Sequence, residues 1–99
     1  MQYFEVREMI GDNFMVGVCM ESFPNIHTAG SYNVLGARVV GVSYAQYLRM
    51  CRDLFNAHLM GKGSKYVYPI FETKQDCQKL VDFLNNRLKQ IYSTIGGIK

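Results

Sequence analysis

Residues 61–76 constrain what this chain can fold into more tightly than any other stretch. Gly61, Lys62, Gly63, Ser64 and Lys65 lead into the aromatic and aliphatic run Tyr66, Val67, Tyr68, Pro69, Ile70, Phe71 and Glu72, which is followed by Thr73, Lys74, Gln75 and Asp76. Glycine after an amphipathic segment stops a helix, because it takes the left-handed conformation that satisfies the last carbonyls. The run that follows reads as a strand. Pro69 has no N–H to give to a ladder, so that strand is expected at an edge or bulged at the proline. Thr73 with Asp76 three residues on is a helix N-cap signature.

The flanking segments carry helical periodicity. Ser43 and Gln46 form a capping box, and Tyr44, Tyr47, Leu48, Cys51, Leu54, Phe55 and Leu59 recur along one face of the helix after it. Gln46, Arg49, Arg52, Asp53 and Asn56 fall on the other face, and Gly61 and Gly63 are expected to end the helix. Beyond Thr73, a second stripe comprises Cys77, Leu80, Val81, Leu84, Leu88 and Ile91, widened by Phe83. It predicts a helix from about Lys74 to about Tyr92, with residues 94–99 as a frayed tail.

The first twenty residues alternate with period two, as half-buried strands do. Gly11, Asp12 and Asn13 separate two such runs and signal a hairpin. A three-residue loop there pairs Ile10 with Phe14, Val6 with Val18 and Phe4 with Met20, which keeps the apolar side chains on one face. Asn13 would take the left-handed position in that loop. Residues 22–36 are rich in turn formers and read as a long loop, and residues 37–42 read as a weak third strand bounded by Gly36 and Gly41. The expected fold is a single α+β domain over residues 1–99. It has a small antiparallel sheet, formed by the N-terminal hairpin plus one or two further strands, with two helices packed on one face in the order β-β-(β)-α-β-α.

Composition narrows the function classes. A chain of 99 residues with 48% apolar and 19% charged residues is globular and can bury its own core. No apolar run approaches the roughly 18 residues of a membrane span. The N-terminal residues are acidic and alternating, unlike a signal peptide. Three cysteines, Cys19, Cys51 and Cys77, make a poor disulfide framework and no zinc pattern. A reducing, cytoplasmic location follows as the expectation, with no metal and no cofactor.

No catalytic motif is present. Cys51 and Cys77 sit on apolar stripes, where a free thiol behaves as a small hydrophobe, although a helix N-terminus and Lys74 lie near Cys77 and favour the thiolate. His58 is expected near the end of the first helix, where the dipole favours its charged form. His27 is the one long-loop residue with acid–base character near neutrality. The glycines and lysines of residues 61–65 invite a phosphate reading, but they leave a helix and enter a strand. Helix polarity there is wrong for a phosphate loop. An enzyme is therefore not expected.

Binding surfaces remain. Phe23, Ile26 and Tyr32 in the long loop, with Tyr66 and Tyr68 on the proline-marked edge strand, are the expected protein-binding residues. Surplus apolar surface on the last helix, at Phe83, Tyr92 and Ile95, points to a protein partner or a homodimer. The alternative is a nucleic-acid module. Residues 1–48 hold two basic against four acidic side chains, and residues 49–99 hold nine against four. Arg49, Arg52, Lys62 and Lys65 would contact phosphates, with the tyrosines stacking on bases. In size and style the chain resembles compact accessory or inhibitor proteins of bacteria and their phages, including the anti-CRISPR class. That resemblance implies a non-catalytic adaptor or inhibitor of a larger nucleoprotein enzyme and assigns no residue a role.

Overall fold

The computed structural model describes residues 3–19, 29–61 and 67–97. Its elements run β1 (Phe4–Met9), β2 (Asn13–Val18), α1 (Ala29–Val40), α2 (Tyr44–Phe55), β3 (His58–Met60), β4 (Tyr68–Ile70) and α3 (Lys74–Gly97). This is an α+β fold with the order β-β-α-α-β-β-α. Two two-stranded antiparallel sheets, β1–β2 and β3–β4, share a core with three helices.

The N-terminal hairpin forms with its apolar faces as expected but with a different register. Phe4 pairs with Val18, Val6 with Val16, and Met9 with Asn13, so the loop is Ile10, Gly11 and Asp12. A shift of two residues keeps every side chain on its face, which is why periodicity cannot detect it. Turn chemistry decides the register instead. Gly11 (φ 92°) and Asp12 (φ 62°) take the two consecutive positive-φ positions, and Asn13 is free to pair in the strand. Ile10 then projects, fully exposed, from the tip.

The weak strand at residues 37–42 is not formed. Residues 37–40 end α1, and residues 29–36 of the expected long loop begin it. Tyr32, Asn33, Gly36 and Ala37 are buried at helical spacing and face the rest of the core. Glycine and β-branched residues weaken the intrinsic helix signal of this segment, and packing overrides them. Gly41 (φ 83°) supplies the stop: the Val42 N–H donates to the Ala37 carbonyl at 3.1 Å, closing α1 two residues before the Ser43 cap of α2. At Gly36 a Cβ would lie 2.6 Å from the Tyr47 hydroxyl, so glycine is what lets α1 approach the fully buried Tyr47 ring of α2.

The capping box of α2 is present in full: Gln46 N–H donates to Ser43 Oγ at 3.2 Å, and Ser43 N–H donates to Gln46 Oε1 at 3.0 Å. The helix ends at Phe55, earlier than its glycines suggest. Asn56 takes the left-handed conformation (φ 60°), and the Ala57 N–H donates to the Cys51 carbonyl at 3.0 Å. Leu59 and His58, expected on the helix, therefore belong to β3. The single strand expected over residues 66–72 is the second arm of a hairpin with β3, in which Leu59 opposes Pro69.

Pro69 also explains why the two hairpins stay two sheets. Phe14 and Phe71 exchange backbone bonds of 2.8 Å in both directions, an isolated bridge between β2 and β4. Alternation puts the missing N–H of Pro69 on that same side of β4, where the next bond to β2 would fall. The ladder stops after one bridge. Thus β4 is not an open edge: β3 covers one side and β2 grips the other at Phe71.

On α3 the expected stripe is the core as far as Leu88, whereas Ile91, expected to continue it, is exposed. Cys77, Leu80, Val81, Leu84 and Leu88 are buried, beneath Phe4, Val16 and Val18 of the hairpin and beside Tyr47, Cys51 and Phe71. Thr73 caps the helix, accepting from the Asp76 N–H at 3.2 Å. The helix continues to Gly97, into the tail expected to fray. Four consecutive residues of β2, Met15–Val18, are buried, so both faces of that strand are covered, and both α1 and α3 pack on it.

Candidate interaction surface

The residues expected to bind a partner divide into three groups. Phe23, Ile26, Tyr66, Lys62 and Lys65, together with His27, lie outside the described residues. Tyr32 belongs to the core at 4% exposure, with the Arg7 guanidinium 5.2 Å from its ring centroid, so it is no contact for a partner. Tyr68 is half-buried in β4 opposite Met60.

Arg49 and Arg52 are exposed on α2 as expected, but they do not form a bare cationic patch. Arg52 Nε contacts Asp53 Oδ1 at 2.9 Å. That hydrogen bond holds the Asp53 carboxyl below its ordinary range, with Arg52 and Arg49 charges adding to the effect, and it raises Arg52 in turn. Asp53 thus pairs with Arg52, and Arg49 acts on it only through its charge. Along the start of α3, Lys74 and Lys79 alternate in sequence with Asp76 and Asp82, and Gln78 donates to Asp82 Oδ1 at 2.9 Å.

The thiols are core groups. Burial pushes Cys51 up to about 12, with the Tyr47 hydroxyl lowering it only in part, and burial aided by Cys51 pushes Cys77 up to about 12. Burial likewise holds the Tyr47 hydroxyl well above its usual range. Both thiols stay protonated near neutrality, since desolvation outweighs the helix N-terminus beside Cys77. His58 lies in β3, not at a helix end, and its Nε2 sits 3.2 Å from Glu72 Oε1 on the surface. Among the described residues no group of three or more His, Cys, Asp or Glu could hold a metal, and no helix is long and apolar enough to cross a membrane.

The feature that stands out is apolar. Leu54, at the last turn of α2, is 73% exposed, and Phe83 on α3 is 39% exposed. Phe55, the residue after Leu54, packs its ring 5.8 Å from that of Phe83, where α2 lies against α3. Leu54 shares the helix side of Tyr47 and Cys51, which is why periodicity reads it as core; its turn extends past what covers them. Phe83 was legible as the residue that widens the α3 stripe beyond one sheet. Comparison with protein-family models, curated proteins and solved structures finds no match.

Proposed function

We propose that this protein is a non-catalytic protein-interaction domain, an adaptor or inhibitor of a larger, nucleoprotein-type enzyme in the reducing cytoplasm. The observation that carries the binding reading is the Phe55–Phe83 ring contact at the α2–α3 seam, with Phe83 partly exposed there and Leu54 exposed at the adjacent position of α2. Aromatic and aliphatic groups of this kind supply the buried centre of protein interfaces, and a rim of charge such as Arg49, Arg52 and Asp53 is the usual surround. Three free thiols accord with the compartment. The nucleic-acid reading is weakened by Asp53, which pairs with Arg52 and offsets one of the two arginine charges on α2.

The test uses the purified chain and a Leu54→Arg/Phe83→Arg variant whose circular dichroism matches the wild type. A protein retained from source-cell extract by the wild type is identified, purified and titrated back by calorimetry. The expected result is a stoichiometric complex weakened at least about 100-fold in the variant, as central interface residues are. Equal affinity of the two chains overturns the seam as the interface. A mobility shift with DNA or RNA that vanishes steeply with salt, in place of any protein complex, favours the phosphate-binding alternative.

A further inference from the structure

The outer edge of β1 is held by a helix side chain. The Cys19 N–H donates to the Tyr3 carbonyl at 2.9 Å, which sets the alternation: Glu5, Arg7 and Met9 turn their backbone groups toward β2, and Phe4, Val6 and Glu8 turn theirs outward. At Phe4 the outward groups meet Asn85 of α3. Asn85 Oδ1 accepts from the Phe4 N–H at 2.8 Å and the Tyr3 N–H at 3.1 Å, and its Nδ2 donates to the Phe4 carbonyl at 3.1 Å. Asn85 is only 7% exposed in a stripe otherwise made of Cys77, Leu80, Val81, Leu84 and Leu88. A buried amide there bonds as a neighbouring strand would, with one donor and one acceptor on the same residue.

The rest of that edge is complementary to itself. Two β1 strands set antiparallel about Val6 bring the outward groups of Val6 together and place Phe4 opposite Glu8 of the second copy. In that register Glu5, which meets Arg7 of its own strand at 3.3 Å, also faces Arg7 of the second copy twice, so the cross-strand charges are complementary. Shifting by two residues puts Arg7 against Arg7, and like charges directly opposite oppose pairing. The favourable register needs the Phe4 backbone groups, and Asn85 occupies them. We infer that Asn85 is an edge guard: it keeps β1 from pairing with β1 of a second copy of this chain, the one strand the edge is best matched to accept.

The test compares sedimentation velocity of the wild type, Asn85→Ala and Asn85→Ser over a concentration series, with hydrogen exchange read at each amide. In the wild type, the Phe4 amide exchanges at least tenfold more slowly than those of Val6 and Glu8. Asn85→Ala and Asn85→Ser double in mass as concentration rises, and the Val6 and Glu8 amides become protected. Adding Glu5→Arg to Asn85→Ala abolishes the dimer, and adding Arg7→Glu as well restores it. Monomeric, folded Asn85 variants overturn the proposal. So does a wild type whose Phe4 amide exchanges as fast as Val6, a wild type already paired through β1, or unfolding of both variants, which would make Asn85 a folding residue instead.

Discussion

The two hairpins of this protein reach the same topology by different means. In β1–β2, six residue pairs form a ladder whose register follows from a turn of its own, Gly11 and Asp12 at positive φ. In β3–β4 there are three pairs, one of them with Pro69. A three-pair hairpin is not independently stable in water. This one is held from outside: Tyr44 of α2 donates its hydroxyl to the Val67 carbonyl at 2.6 Å, and Phe71 bridges to Phe14 with its ring buried in the core. The difference teaches that the first hairpin is specified by local sequence and the second by the helices around it.

The largest break in that comparison is expected from Phe71→Ala. The substitution keeps the main-chain bridge to Phe14 but removes a fully buried ring, and such losses cost about 3–5 kcal/mol. Urea denaturation measures the total. Hydrogen exchange on the surviving native state distinguishes the hairpins: amides of His58–Met60 and Tyr68–Ile70 lose protection first, with β1–β2 still protected. Uniform loss of protection across both would show that they are equally dependent on the core.

Legibility in the sequence follows the same division. The existence and faces of the β1–β2 hairpin, though not its register, the Ser43 and Thr73 caps and the α3 stripe as far as Leu88 are readable because each rests on residues within a few positions of one another. Helix α1 is not, since its Gly30, Gly36 and three valines argue against a helix until Tyr47 is seen packing on Gly36. The clue that was present is Gly41 followed by Ser43, a helix stop and a helix start with one residue between. Strand β3 was absorbed into α2 because Leu59 continues the apolar period, and only Asn56 in the left-handed conformation breaks it. For the candidate surface, Phe83 was legible from its place beside the stripe. Leu54 was not, because exposure at the end of a helix depends on where the covering elements stop. Asn85 shows in the sequence only as a polar residue on the apolar stripe, four after Val81 and three before Leu88; its partners are backbone groups more than eighty positions away.

A smaller effect is expected from Tyr44→Phe, which removes the hydroxyl bonded to the Val67 carbonyl and leaves the ring near that of Tyr47. One neutral hydrogen bond of this kind contributes about 0.5–1.5 kcal/mol. The change should be felt at Val67 and along β3–β4, and not in the β1–β2 ladder. Amide exchange at Tyr68 and Ile70 is the measurement. If the amides of Val6 and Val16 respond as strongly, the second hairpin is no more tied to the helices than the first.

The smallest effect tests the opposite claim, that β1–β2 is governed by its own turn. Asp12 holds φ 62°, a conformation in which most L-residues pay roughly 1–2 kcal/mol and Asp somewhat less. In Asp12→Gly, relief of that strain is offset by the greater freedom of glycine in the unfolded chain, so stability should change by no more than about 0.5 kcal/mol. Asp12→Ala keeps the Cβ and loses the local hydrogen-bonding capacity of Asp, and should cost about 1 kcal/mol. Thermal melts of the two variants beside the wild type give the ranking, Gly at or above wild type and Ala below both. An Ala variant as stable as Gly would mean that packing of α3 on Phe4, Val16 and Val18 fixes the register, and the two hairpins would then be alike in taking their geometry from the helices.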